Sequence, residues 1–283
     1  MKNFNKGLAI IFAAVLTLTS CTEDEAEAIP TVPTTNNVTL EFNNTFGEDA
    51  IVLGDATSAE ATVNTSTEGQ IHHFSELKYV ISNIRLINEE DIEIHYNIND
   101  LDNGATVVNQ AKEETLQYVL NNIPSATYTK IQFGLGVKSN LNTLDQEAFP
   151  IFYAAAGKND TEMHWEWGTG YRFTKIEGFY GEDNTELSIH TGSTDDGGQG
   201  VDAYRDITLE LPTNLVVGIN APKIVIKADF NTLLSGATTI TLGEDNATPS
   251  IHTSVNMMQF VDNLGGNGDD NITGMFSVTS VEN

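Results

Sequence analysis

The chain has 283 residues, with 40 acidic side chains against 13 basic ones, and a formal net charge of −27 at pH 7. So acidic a surface excludes nucleic acid as a partner and excludes electrostatic docking on anionic lipid. Its single cysteine excludes an internal disulfide, and 40% hydrophobic residues are enough for one large folded domain.

The first twenty residues read as a signal peptide. Lys2 and Lys6 form a basic start, and Leu8 to Leu18 runs apolar apart from Thr17. That run is too short to cross a bilayer and suits a signal-peptide core. It ends in Leu18-Thr19-Ser20-Cys21, an aliphatic residue and two small ones before a cysteine, which resembles the lipobox of bacterial lipoproteins. The expectation is cleavage after residue 20, lipidation of Cys21, and anchoring at the outer membrane or cell surface. A lone extracytoplasmic thiol thereby gains a use and is withdrawn from nucleophilic catalysis. Residues 21–37 are acidic, then rich in Thr and Pro. Such a composition cannot bury a core and reads as an extended tether.

Residues 38–283 carry a strand-and-turn rhythm. Val38 to Phe42 alternates. Phe74 to Leu86 alternates for much of its length, with Phe74, Leu77, Tyr79, Ile81, Ile84 and Leu86 apolar. Ile92 to Tyr96 reads as the returning strand of a hairpin. Further strands are expected at Thr127–Val137, Tyr171–Phe179, Glu186–His190, Asp206–Leu211 and Lys223–Phe230. Short helices are expected at Gln146–Ala156, Phe230–Leu234 and Ile251–Asn263. The whole predicts an all-β, β-sandwich-like domain with a few short helical insertions.

Catalytic signatures are absent: there is no G-x-S-x-G, no H-E-x-x-H and no Walker loop. The reading is a binding protein, not an enzyme. Two Gly/Asp-rich loops, Thr194–Asp202 and Asp262–Asn271, offer oxygen ligands for calcium but lack EF-hand spacing, so flexible surface turns are the preferred reading and a calcium site the alternative. The six histidines show no close metal-site spacing, and any site must be assembled from distant segments. The tetrapeptide Ser-Ile-His-Thr occurs twice, at 188–191 and 250–253, each copy with a histidine.

The densest stretch is Met163 to Gly178, which holds both tryptophans, Trp165 and Trp167. On a strand, Met163, Trp165 and Trp167 share one face and His164 points to the other. An aromatic structural cluster would explain them, and so would an exposed stacking platform for a glycan or a protein partner.

Four segments in order resemble the MbnP-like family of periplasmic or lipid-anchored copper-binding proteins. They are Phe74–Leu86 with its Tyr79 and Ser82-Asn83, Ile123-Pro124 through Val137, the Trp-rich Met163–Phe173 with Glu177-Gly178, and Ile189-His190-Thr191-Gly192. The resemblance implies a β-rich extracytoplasmic domain that holds copper through histidines and an oxidised tryptophan, a kynurenine made with a diheme peroxidase-like partner. Mapped here, His190 is the first ligand candidate and His252 the second, with His164 and Met163 behind them. Trp165 or Trp167 would be the oxidised residue. The chain departs from the family pattern at Lys138, where Asp is common, and at His164, where an apolar residue is common.

Overall fold

Alternation writes the main core. Val38, Leu40, Phe42 and Asn44 point inward from β1 (Thr35–Phe46), and the residues between them point out. The structure is a computed structural model, and it describes residues 33–55, 58–157, 162–165, 170–193, 200–248, 254–267 and 274–283, with 254 and 255 as backbone only. All of them fall in one compact unit, Val32–Asn283. The signal peptide, Cys21 and most of the expected tether lie outside the described residues.

Thirteen strands follow among these residues. After β1 come β2 (Asp49–Ala50), β3 (Asn64–Thr65), β4 (Ile71–Asn88), β5 (Glu93–Tyr96), β6 (Thr106–Asn109), β7 (Gln117–Pro124) and β8 (Thr127–Leu135). Then come β9 (Thr174–Tyr180), β10 (Thr185–Thr191), β11 (Arg205–Val216), β12 (Lys223–Asp229) and β13 (Phe276–Glu282). Helices are short: α1 (Leu101–Gly104), α2 (Ser139–Asn142), α3 (Pro150–Ala156), α4 (Thr232–Ser235) and α5 (Ser254–Gly265). No described helix is long and apolar enough to cross a membrane.

One sheet has the order β13-β12-β1-β2, with β7 also on β1. The other has the order β10-β9-β4-β8-β11, with β3, β5 and β6 also on β4. The β1–β12 ladder is parallel and the other ladders are antiparallel. Between the sheets lies one large apolar core, which includes Phe42, Phe74, Tyr79, Phe133 and Phe230. The all-β sandwich expected from the sequence is the fold observed.

The spacing of the apolar residues in β4 has a structural meaning. Two steps are three residues long, Phe74 to Leu77 and Ile81 to Ile84. Each coincides with a bulge, one between Phe74 and Glu76 against β9 and one between Ser82 and Arg85 against β8. An extra residue at each point keeps the apolar side chains on the core face of an 18-residue strand. Asn83 takes a positive φ of 51° at the second bulge, and its amide donates to the Tyr204 hydroxyl at 2.7 Å and to Asp206 at 3.2 Å.

The outer face of the eight-stranded sheet carries a second, smaller core. Val80, Val107 and Val137 face outward into it and meet Phe152 of α3, Met257 of α5, and Met163, Tyr171 and Phe173. Here the structure corrects the expected strand Tyr171–Phe179, which begins only at Thr174. The residues before it fold back on themselves: Trp165 donates its N–H to the Gly170 carbonyl, Arg172 donates to the Met163 carbonyl, and a single bridge joins His164 to Tyr171. The expected helix Gln146–Ala156 is a 3₁₀ turn, Gln146–Ala148, followed by α3, with Pro150 opening the helix as its first residue.

Candidate metal centre

Strand alternation sends His190 to the outer face of the sheet. In β10, Leu187 and Ile189 enter the main core, so Ser188 and His190 face the other way. In β9, Thr174, Ile176 and Gly178 are inward and Lys175 and Glu177 outward; in β4, Glu76 and Lys78 join them. Register places Ser188 opposite Glu177, His190 opposite Lys175, and Lys175 opposite Lys78. Three strands thus lay a stripe of ionisable groups side by side.

The stripe is closely bonded. His190 Nε2 lies 2.8 Å from Glu177 Oε1 and 3.2 Å from Ser188 Oγ. Lys175 Nζ lies 2.8 Å from Glu162, 2.9 Å from Glu76 and 3.6 Å from Glu177. Lys78 Nζ meets Glu76 at 2.5 Å. Both lysines are buried, and a buried ammonium needs such partners. Burial alone would lower the pKa of Lys175, but its bonds to Glu162 and Glu76 outweigh burial and raise it. The hydrogen bond from His190, with Lys175 nearby, outweighs burial at Glu177 and brings its carboxyl down to about 2.

Trp165 closes the site from above. Its ring centroid is 6.3 Å from that of His190, and the Arg172 guanidinium lies 4.4 Å over its ring. Arg172 also donates to the carbonyls of Glu162 and His164, which holds the guanidinium in place. Gly192 makes the approach possible. A Cβ there would come within 2.9 Å of the Tyr171 carbonyl and 3.2 Å of the indole. Gly170, at φ +95°, takes a turn that other residues rarely adopt, and a Cβ there would meet the Asn142 amide at 2.7 Å. Asn142 is thereby free to accept from the Tyr171 N–H at 2.8 Å.

The sequence candidates separate in space. His190 and Trp165 come together. His164 is held elsewhere: its ring packs edge-on against Tyr153 and Tyr171 at 5.2 and 5.1 Å, and its Nδ1 donates to the Trp165 carbonyl at 2.9 Å. Burial lowers its pKa. Met163 is fully buried in the second core. Trp165 is 5% exposed, so it is not the exposed stacking platform that a glycan-binding module would need. Trp167 and His252 lie outside the described residues. The described flanks of His252 both touch β10, since the Ala247 carbonyl accepts from Ser188 N–H at 2.8 Å and α5 packs against the strand.

Among the described residues, no group of three or more His, Cys, Asp or Glu is arranged to hold a metal ion. They do provide one imidazole with a carboxylate on its Nε2, an arrangement that fits a metal-ligating histidine. For the calcium loops, Asp202 accepts from Ser193 and Tyr204, and Asp262 pairs with Arg205 at 2.7 Å. Residues 194–199 and 268–273 of these loops lie outside the described residues.

The sequence did not single out Lys175, Glu76, Lys78 and Arg172 as site residues, and Glu177 stood out only in the family-like Glu177-Gly178 pair. Period-two alternation could have put Lys175 and Glu177 on one face, but the register that brings His190 to them is written in neither strand alone.

The family model of MbnP matches residues 35–258. The solved structure of MbnP from Methylosinus trichosporium is similar in fold, with a TM-score of 0.53 and 14% identity, over 88% of this chain and 98% of that one. No curated protein matches the sequence.

Proposed function

The chain belongs to the MbnP family, and from that premise we propose that it is a lipid-anchored, extracytoplasmic copper-binding protein, with His190 as a ligand beside Trp165. One observation carries the reading: His190 in β10 and Trp165 in the segment before β9 meet at 6.3 Å on the outer face of the sheet, with a carboxylate on the histidine. An imidazole suits Cu(I), and a copper cargo suits a protein that binds without transforming. The remaining donors come from segments outside the described residues, with His252 and Trp167 first among them. An oxidised tryptophan made by a haem-containing partner would complete the set. Cys21 carries the lipid and residues 22–37 the tether.

The test is to purify the full mature chain from its own host and to measure bound metal together with intact mass. The expected result is stoichiometric copper, lost in His190→Ala, with a mass shift matching one kynurenine. A chain that takes up no Cu(I) overturns the copper reading. Copper without the mass shift removes the tryptophan from the ligand set.

A further inference from the structure

We propose that Glu177 is the positioning residue of this site: it holds the Nε2–H of His190, so that Nδ1 is the nitrogen that takes the metal. The inference rests on the copper reading and says how the ring is presented.

An ionised carboxylate can only accept, so the 2.8 Å contact between Glu177 Oε1 and His190 Nε2 puts the proton on Nε2. Ser188 Oγ, 3.2 Å from the same nitrogen, crowds that edge of the ring further. No hydrogen-bond partner of Nδ1 occurs among the described residues. With its proton on Nε2, the ring keeps Nδ1 as the nitrogen that can offer a lone pair to a metal.

Three features make the arrangement directional. First, Glu177 sits opposite Ser188 and diagonal to His190, a cross-strand placement that the register of β9 and β10 fixes. Second, Lys175 lies directly opposite His190 and 3.6 Å from Glu177, with the buried Lys78 beside it in the next strand. Between them, the two ammonium groups are paired with Glu76, Glu162 and Glu177, so the Nε2 side of the ring is already filled by ion pairs. Third, the carboxylate is a hard donor and a poor ligand for Cu(I), so it gains little by leaving the histidine for the metal.

The experiment uses the full mature chain in detergent, labelled with ¹⁵N at histidine, without metal and with added Cu(I). Long-range proton–nitrogen spectra should show His190 protonated at Nε2 before copper is added. Copper should move the Nδ1 signal while the Nε2 proton stays. Glu177→Ala should mix the tautomers and weaken Cu(I) binding about ten- to a hundredfold. Glu177→Gln keeps an accepting oxygen at the same reach and should restore most of both, which a purely structural role would not predict. Thermal melts of each variant check that the fold is intact. Copper that shifts Nε2, or Glu177→Ala with unchanged tautomer and affinity, overturns the proposal and leaves the copper reading standing. No Cu(I) binding by the parent chain overturns the copper reading and the proposal with it.

Discussion

Gly192 is the position where a single methyl group tests the site most directly. An added Cβ would sit 2.9 Å from the Tyr171 carbonyl and 3.2 Å from both Cζ2 and Nε1 of Trp165. The carbonyl belongs to the backbone of the folded-back segment, so the indole or the chain has to shift. Overpacking of this kind costs about 1–3 kcal/mol. Replacing glycine also restricts the unfolded chain and returns about 0.4–1 kcal/mol. The net expectation for Gly192→Ala is about 1–2 kcal/mol of destabilisation, or a Tm roughly 2–8 °C lower for a domain of this size. Gly243 is the control, because a Cβ there meets nothing within 4 Å. Gly243→Ala should leave Tm unchanged or raise it. Thermal unfolding by circular dichroism reads both, and tryptophan emission in a Trp167→Phe background reports the displaced Trp165. Equal melting temperatures for the two variants, with unchanged Trp165 emission, would refute the claim that this glycine exists to admit the indole.

Three further outcomes are expected. Burial, with His73 nearby, lowers the pKa of His72 to about 4 from 6.5, against a weaker opposing bond to the Gln70 carbonyl. The unfolded chain then takes up this proton first, so its contribution is complete above pH 6.5 and is lost as pH falls towards 4, by up to about 3 kcal/mol. His72→Phe, between Phe46 and Phe74, should flatten Tm against pH in that window, and an unchanged slope would assign it to other groups. Asn83→Ala should cost about 2–4 kcal/mol in denaturant titration, through lost bonds at the bulge and a positive φ, whereas Asn83→Gly should cost less; equal losses would remove the backbone part. Cys21→Ser should move the protein from the membrane fraction to the soluble one, and retention in the membrane would overturn lipidation at that residue.

The strands that face one core from one side were legible in the sequence, because period-two alternation survives there. The short β2, β3 and β6 were not, nor were two longer edge strands, β7 and β13. In β7 only Leu120 and Ile123 are buried, and Asn122 at φ 59° breaks the period between them. In β13 the ladder slips between Val225 and Ile226 of its partner, and only Phe276 is buried. The site was half legible. His190, Trp165 and Glu177 stand in segments singled out by composition and resemblance, but Lys175, Glu76 and Lys78 look like ordinary surface charges until β4, β9 and β10 are set in register. The ring of His164, beside a tryptophan in sequence, packs edge-on between Tyr153 and Tyr171, a placement that the sequence does not signal.

The parallel ladder between β1 and β12 sets an order of events. Thr39 at the start of the domain pairs with Lys223, and β12 in turn pairs with β13, which ends at Glu282. The five-stranded sheet therefore cannot close until nearly the whole chain has emerged. Such distant pairing is slow, because the loop must be closed before any contact rewards it. Strand β1 can meet β2 and β7 early, but its parallel neighbour β12 and the edge strand β13 arrive only near the end of the chain, so the sheet is completed last on that side.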